Sequence, residues 1–428
     1  MSSATHAARR RTPASGSGPR TPRHRARSRQ GRASHVSGFR IVAAAFASLM
    51  AFGTVPTPLW PLYQQRDHFG ATTVTIAYAV MVVGAAFSFR SLGHLSDRIG
   101  RRRVIVPALL VAIAAAAVLA AWPALPGLIV GRFLTGVAVG LMASTATAYL
   151  TDLHHAAHPD RPHSPVPALV STAANLGGLA MGPLLAGAAA QWLPTPLVTS
   201  YVVFAAVMAA FLVLVLSSPE TVDVTLFDGD RPVRFALRPG HGAAFGVASS
   251  IGFFAFAVMG LFSSLGAIIV RGQLGISSSF IAGLTTFIAF AASALAQLAL
   301  GRLTQSRLLA VGVLLFPAGL ALTALSLYDP KLWLVVTAAG LAGAGAGLLF
   351  KGAVSQTVAT ADPASRAGVL AVFFVIAYLG LGLPSIAFSL VIQHAALRPS
   401  MIGFASALSL GAAVAVALAR RGAIGTAR

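Results

Sequence analysis

Few residues in this chain carry chemistry, and their positions narrow what that chemistry is. The 428 residues include no cysteine, ten acids and eleven histidines. Without cysteine there are no disulfides, thiolate metal sites or cysteine nucleophiles. The acids sit at the ends of apolar runs, in loops or in the polar segment 217–240, and none is central in a run. His154, His155, His158 and His163 share one polar loop, where such loose spacing marks solvated side chains more often than a metal site. No Gly-rich phosphate loop, Ser/His/Asp set or metal-ligand constellation is present, so no enzyme, cofactor or metal is expected. What remains is two cations inside apolar runs, Arg132 and Lys351, and one charged cluster, Gly93-His-Leu95-Ser-Asp97-Arg98-Ile-Gly100-Arg101-Arg102-Arg103.

Each has a physical use. An acid among arginines can bridge to a neighbouring helix end and latch two bodies together, while Gly93 and Gly100 permit a tight turn. Arg132 lies about seven residues inside its run, where a charge costs about 2.5–3.5 kcal/mol, so it should face the bundle interior or water; snorkelling to the headgroups is the alternative. Lys351 either lines a cavity and attracts an anionic group or snorkels on its four-carbon stem. Trp60 and Tyr63, beside Pro56, Pro58 and Pro61, either line a cavity or anchor at the interface. Gly178 and Gly182, four apart and followed by Pro183, suit close helix packing with a bend, with or without a mechanistic role.

The elements that position these residues follow from composition. The chain is 56% hydrophobic and 10% charged, with a mean hydropathy of +0.80; soluble proteins carry about 25% charged residues. A polytopic membrane protein remains. Twelve apolar runs of about the ~20 residues that cross a bilayer are predicted near 39–63, 72–92, 103–122, 125–150, 166–190, 195–217, 242–270, 279–300, 308–327, 331–354, 367–392 and 399–419. Backbone groups in hydrocarbon must be satisfied within the segment, so these are helices.

The net charge of +21 resembles a nucleic-acid signal until its distribution is read. With both termini cytoplasmic, 25 basic residues fall on the inner side and four, Arg66, Arg271, Lys331 and Arg398, on the outer. That positive-inside bias sets the orientation and removes nucleic acid as a partner. The reading is a basic disordered cytoplasmic tail over 1–38, six helices over 39–217, a cytoplasmic linker over 218–241 and six helices over 242–420. A multi-pass monomer in the cytoplasmic membrane of a bacterium is expected, with lipid and a small molecule as partners.

The two halves repeat. Gly93-His-Leu95-Ser-Asp97 is matched by Gly301-Arg-Leu303-Thr-Gln305, Gly182-Pro183 by Leu383-Pro384, and Gly136 and Gly140 by Gly343 and Gly347, at offsets of 208, 201 and 207. Parallel repeats imply a pseudo-two-fold axis along the membrane normal and a substrate path between the halves.

On these residues the chain resembles the major facilitator superfamily. The Gly93–Arg103 cluster is similar to the signature between helices 2 and 3, matching at Gly93, Leu95, Asp97, Arg98, Gly100, Arg101 and Arg102. Arg132-Phe-Leu-Thr-Gly136 resembles the helix-4 motif. Gly178-Leu-Ala-Met-Gly182-Pro183-Leu-Leu-Ala186-Gly187 resembles the helix-5 motif of the antiporters, with Ala186 where glycine is usual. The resemblance implies an all-α fold of two pseudo-symmetric six-helix bundles and a loop that latches the outward-facing state, with Asp152 as the acid completing the cluster. It gives Arg132 a role in proton coupling or substrate contact. Gln305 stands where the second latch would have an acid, so the latch is expected to be asymmetric. The proline-rich end of helix 1 is similar to that of drug-type exporters. The expected function is rocker-switch export of small amphipathic compounds in exchange for protons. The absent mid-membrane carboxylate favours the runner-up, a facilitator or importer of a small metabolite; a non-transporting receptor or scaffold is a third reading.

Overall fold

The computed structural model describes residues 34–92, 95–222 and 235–425. The basic tail before Ser34, Gly93, the linker acids Asp223, Asp228 and Asp230 and the side chain of Asp97 lie outside the described residues. Among the described residues the regular structure is helical, apart from one isolated bridge, Leu237 with Ala361.

The first six spans comprise α1 (His35–Thr54) with its continuation α2 (Trp60–Asp67), α3 (Ala71–Ser91), the short connector α4 (Leu95–Ile99), α5 (Arg101–Ala121), α6 (Leu125–Ala157), α7 (Val166–Trp192) and α8 (Pro196–Ser217). The last six are α9 (Gly242–Ser264) with its continuation α10 (Gly266–Leu274), α11 (Ser279–Ala299), α12 (Gln305–Leu325), α13 (Leu332–Thr360), α14 (Arg366–His394) and α15 (Leu397–Gly425). Twelve helices among the described residues are long and apolar enough to cross a membrane. They follow the twelve runs read from the sequence, several overrunning the expected ends by a turn or more. The first helix starts at His35, α2 runs on to Asp67, α6 to Ala157, α10 to Leu274, α13 to Thr360 and α15 to Gly425. These extra turns are polar, and a helix leaving the bilayer has no need of an apolar sequence.

The first and seventh spans break at the same end. In the first, Pro56, Pro58 and Pro61 cannot donate to the helical ladder, and a 3-10 turn, Thr57–Leu59, separates α1 from α2. The seventh breaks at Leu265 without a proline.

Glycines set how closely the helices meet. A Cβ at Gly136 or Gly140 of α6 would overlap the α3 backbone or Ser88; one at Gly343 or Gly347 of α13 would overlap Ala289 or Ser293 of α11. The fourth span therefore packs on the second as the tenth packs on the eighth, and the sequence repeat is also a repeat of packing. Between the two sets of six, α7 packs along α11 and α3 along α14.

One end of the bundle carries the arginine-rich α3–α5 connection. At the far end Trp122, Trp192 and Trp333 are 50%, 67% and 62% exposed. Amphipathic rings favour the membrane–water boundary, so these three form an interfacial belt. The fourth tryptophan, Trp60, is buried.

Candidate functional site

The arginine-rich connection is tied down by residues distant in sequence. Arg101 Nε donates to Asp152 Oδ2 at 3.0 Å, and its Nη1 donates to Ser96 Oγ at 2.9 Å. Glu220, just past α8, accepts from the backbone N–H of Arg101 at 2.8 Å and of Arg102 at 3.1 Å. Its carboxylate thus covers the open N-terminus of α5, where orphan donors and the helix dipole both favour negative charge. Gly100, at φ +109°, brings the backbone against that carboxylate, and a Cβ there would overlap it. Arg102 Nη1 donates to the carbonyls of Leu216 and Ser218, Thr221 Oγ1 to Asp152, and Tyr149 Oη to the carbonyl of Pro219. Arg98 is exposed. These bonds join α5, α6 and the end of α8, all in the first set of six. Asp97, the acid expected to reach the second set, lies outside the described side chains.

In α7, Gly178 and Gly182 lie against Ala47 and Ala51 of α1, and a Cβ at either would overlap those carbonyls. Gly187 meets Ser279 of α11, and the Pro183 carbonyl meets Gly283 of α11. The glycine–proline motif therefore sits where α7 touches both α1 and the second set. Pro183 has no N–H for the carbonyl four residues back, that of Leu179. Thr54 Oγ1 of α1 supplies that donor at 2.9 Å.

Arg132 is buried, 1% exposed, in the second turn of α6. Its Nη1 donates to the Gly53 carbonyl at 3.0 Å, an acceptor left open where α1 breaks, and Nη2 lies 2.9 Å from Met81 Sδ. Nε has no partner. The guanidinium stands 5.6 Å from the Tyr78 ring centroid, and the other polar groups acting on it are Tyr201 and Tyr63. Tyr63 and Tyr201 hydrogen-bond through their hydroxyls at 3.0 Å.

Trp60 donates through Nε1 to the Ser263 carbonyl at 3.2 Å, at the break of the seventh span. Two broken helices thus offer carbonyls at the same level, one taken by Arg132 and the other by Trp60 from the opposite set. Nearby, Thr75 and Ser389 hydroxyls lie 2.9 Å apart, Thr72 Oγ1 donates to the Ser389 carbonyl, and Gln191 accepts from Ser279 N–H. The described hydrogen bonds between the two sets all lie toward the far end. Toward the arginine-rich end the sets meet through rings instead: Phe89 stacks on Phe374 and meets Tyr378 edge-on, both at 5.4 Å between centroids.

Lys351 is half-buried in α13, and its ammonium donates to the Gln297 carbonyl in the last turn of α11 at 2.9 Å. A cation there satisfies an orphan carbonyl and the negative end of the dipole. Gln305, in the second copy of the loop motif, bonds to Gln356, which donates to the Ala244 carbonyl. His154 is buried and stacks on His158 at 4.7 Å between centroids; among the described residues no group of three or more acids and histidines is arranged to hold a metal. A cavity of about 730 Å³ lies between α1, α7 and α8, lined by Ala47, Gly177, Met181, Leu185, Val203 and neighbours. Its rim residues are exposed and apolar, so it is a groove facing lipid.

Sequence reasoning singled out Arg132, Asp152 and the loop arginines but missed Glu220, Thr54, Ser263 and Tyr201. Glu220 read as one of several linker acids, and the other three read as ordinary residues of apolar runs. The one available signal was Pro183, which requires some donor for Leu179.

Residues 41–383 match the family model described as Major Facilitator Superfamily. Over 83 residues the chain is 40% identical to the glucose transporter GlcP of Staphylococcus epidermidis, and that alignment spans only 19% of this chain and 19% of the relative. Among solved structures, the nucleoside transporter NupG is similar at TM-score 0.69 and 13% identity, covering 89% of this chain and 99% of that one. A bacterial homologue of the human lysosomal transporter Spinster, in an inward-facing unoccupied conformation, is similar at TM-score 0.69 and 15% identity, covering 90% and 97%. The human organic anion transporter MFSD10 is similar at TM-score 0.61 and 16% identity, covering 90% and 99%. At such identities these three speak to the fold alone.

Proposed function

This chain belongs to the major facilitator superfamily of membrane transporters, and from that premise we propose that it exports small amphipathic compounds by alternating access, in exchange for protons. The observation that carries the reading is the uneven seam between the two sets of helices: among the described residues, hydrogen-bonded toward the far end and met by stacked rings toward the arginine-rich end. A seam with two chemically different ends can part at one while the other stays shut. With the arginine-rich end in the cytoplasm, as the positive-inside rule requires, this conformation is closed to the outside. The α5 cluster of Arg101, Arg102, Asp152 and Glu220 holds the cytoplasmic ends of α5, α6 and α8 together. The α7 motif, packed on α1 within the first set, is the bearing on which that set turns against α11. Lys351 keeps α13 on α11 in the second unit, and Trp60 and Tyr63 belong to the outer closure.

A specific observation favours a second reading. Proton exchange needs a group near the path that changes charge, and none of the described acids lies in the interior of a span. A facilitator or importer of a small metabolite needs no such group. GlcP is a glucose transporter, so glucose is the first metabolite to try.

Uptake of amphipathic dyes and antibiotics by energised inverted vesicles, with and without a protonophore, separates the two. Accumulation that collapses with the proton gradient is the expected result. No gradient-dependent uptake across the panel, together with glucose counterflow in proteoliposomes, would replace export by the second reading.

A further inference from the structure

The guanidinium of Arg132 is buried, and no acid among the described residues acts on it. The polar groups acting on it are three tyrosines, Tyr78, Tyr201 and Tyr63. A buried charge without a partner is expensive, and structures keep one where something else compensates it. Part of the compensation is visible: Nη1 is fixed on the Gly53 carbonyl at the broken C-terminal end of α1. The other edge of the planar group is open, because Nε has no partner and Nη2 meets only the Met81 sulfur, a weak acceptor. Nε–H and one Nη2–H point the same way and form the fork that accepts both oxygens of a carboxylate. The chain therefore presents an anchored arginine with its two-pronged edge idle, among aromatic rings in an otherwise apolar bundle.

We propose that Arg132 receives the carboxylate of an amphipathic organic anion, with Nε and Nη2 on its two oxygens and the rings of Tyr78 and its neighbours against its apolar body. This deepens the alternating-access reading by naming a substrate class. The site lies between the break of α1 and the middle of α3, beside the tyrosine pair Tyr63–Tyr201.

The test uses full-length protein in nanodiscs and measures equilibrium binding of radiolabelled benzoate and 1-naphthoate against benzamide and 1-naphthamide. Each amide matches its acid in shape and lacks the charge. The carboxylates should bind about tenfold or more tighter than the amides. Arg132→Gln should abolish that preference, and Arg132→Lys, a point charge without the fork, should keep a part of it. Arg132→Met should melt no lower than the natural protein, since it removes an unpaired buried charge. Equal binding of acid and amide, no carboxylate binding in the panel, or a preference that survives Arg132→Gln would overturn the site. A large drop in melting temperature for Arg132→Met and Arg132→Gln alike would also overturn it and leave Arg132 as the cap of α1. Counterflow of the bound carboxylate in proteoliposomes tests transport separately: Arg132-dependent binding without flux keeps the site and removes the transport reading.

Discussion

Thr54 illustrates how much of this molecule rests on single polar atoms in an apolar setting. Its hydroxyl satisfies the Leu179 carbonyl that Pro183 leaves open, across 125 residues of chain. Thr54 is buried, so Thr54→Val should lower stability by about 1–3 kcal/mol, whereas Thr54→Ser should be near neutral. Thermal melts of the two variants in the same detergent check this, and equal melting temperatures would contradict it. At this scale the sequence was legible where a residue is out of place by itself. Arg132 is conspicuous in any apolar run, and its burial follows from the cost of charge in hydrocarbon. Thr54 and Glu220 are not conspicuous, because their significance lies in partners more than a hundred residues away. Trp60 and Lys351 each had two readings. The geometry puts Trp60 in the seam between the two sets and Lys351 on the last turn of α11.

At the scale of elements, α7 bears on two neighbours at once, and its small residues decide whether it can. Gly182→Leu drives a side chain into the Ala51 carbonyl and Thr54, so α1 and α7 must separate. Overpacking of this kind costs about 1–3 kcal/mol or more, and membrane abundance or melting temperature should fall. Gly177→Ala, one residue before the motif, adds a methyl group that meets nothing within 4 Å and should change neither. If the two variants behaved alike, spacing rather than contact would explain the motif. Helix boundaries were legible where hydropathy marks them and missed by up to seven residues where a helix runs on in polar sequence, as α6 does to Ala157. The break of the seventh span was not, since Leu265 sits in an unbroken apolar run with no proline to mark it. Its counterpart in the first span was announced by three prolines.

For the whole molecule, the fold followed from composition, run length and the internal repeat. The relative placement of the helices did not. Helices that are apolar all round carry no stripe to say which face meets a neighbour, so the α3–α14 and α7–α11 seams became visible only in three dimensions. Those seams support the central claim, that one end opens as the other closes. The chain has no cysteine, so spin labels can be placed at chosen sites alone. Pulsed electron resonance should compare one pair across the far end, Gln65→Cys with Gly272→Cys, and one across the arginine-rich end, Arg103→Cys with Ser306→Cys. Two populations with opposite trends are expected: wherever the far-end distance lengthens, with a change of pH or added solute, the arginine-end distance shortens. A single fixed distance for both pairs under every condition, or two ends that widen together, would contradict it.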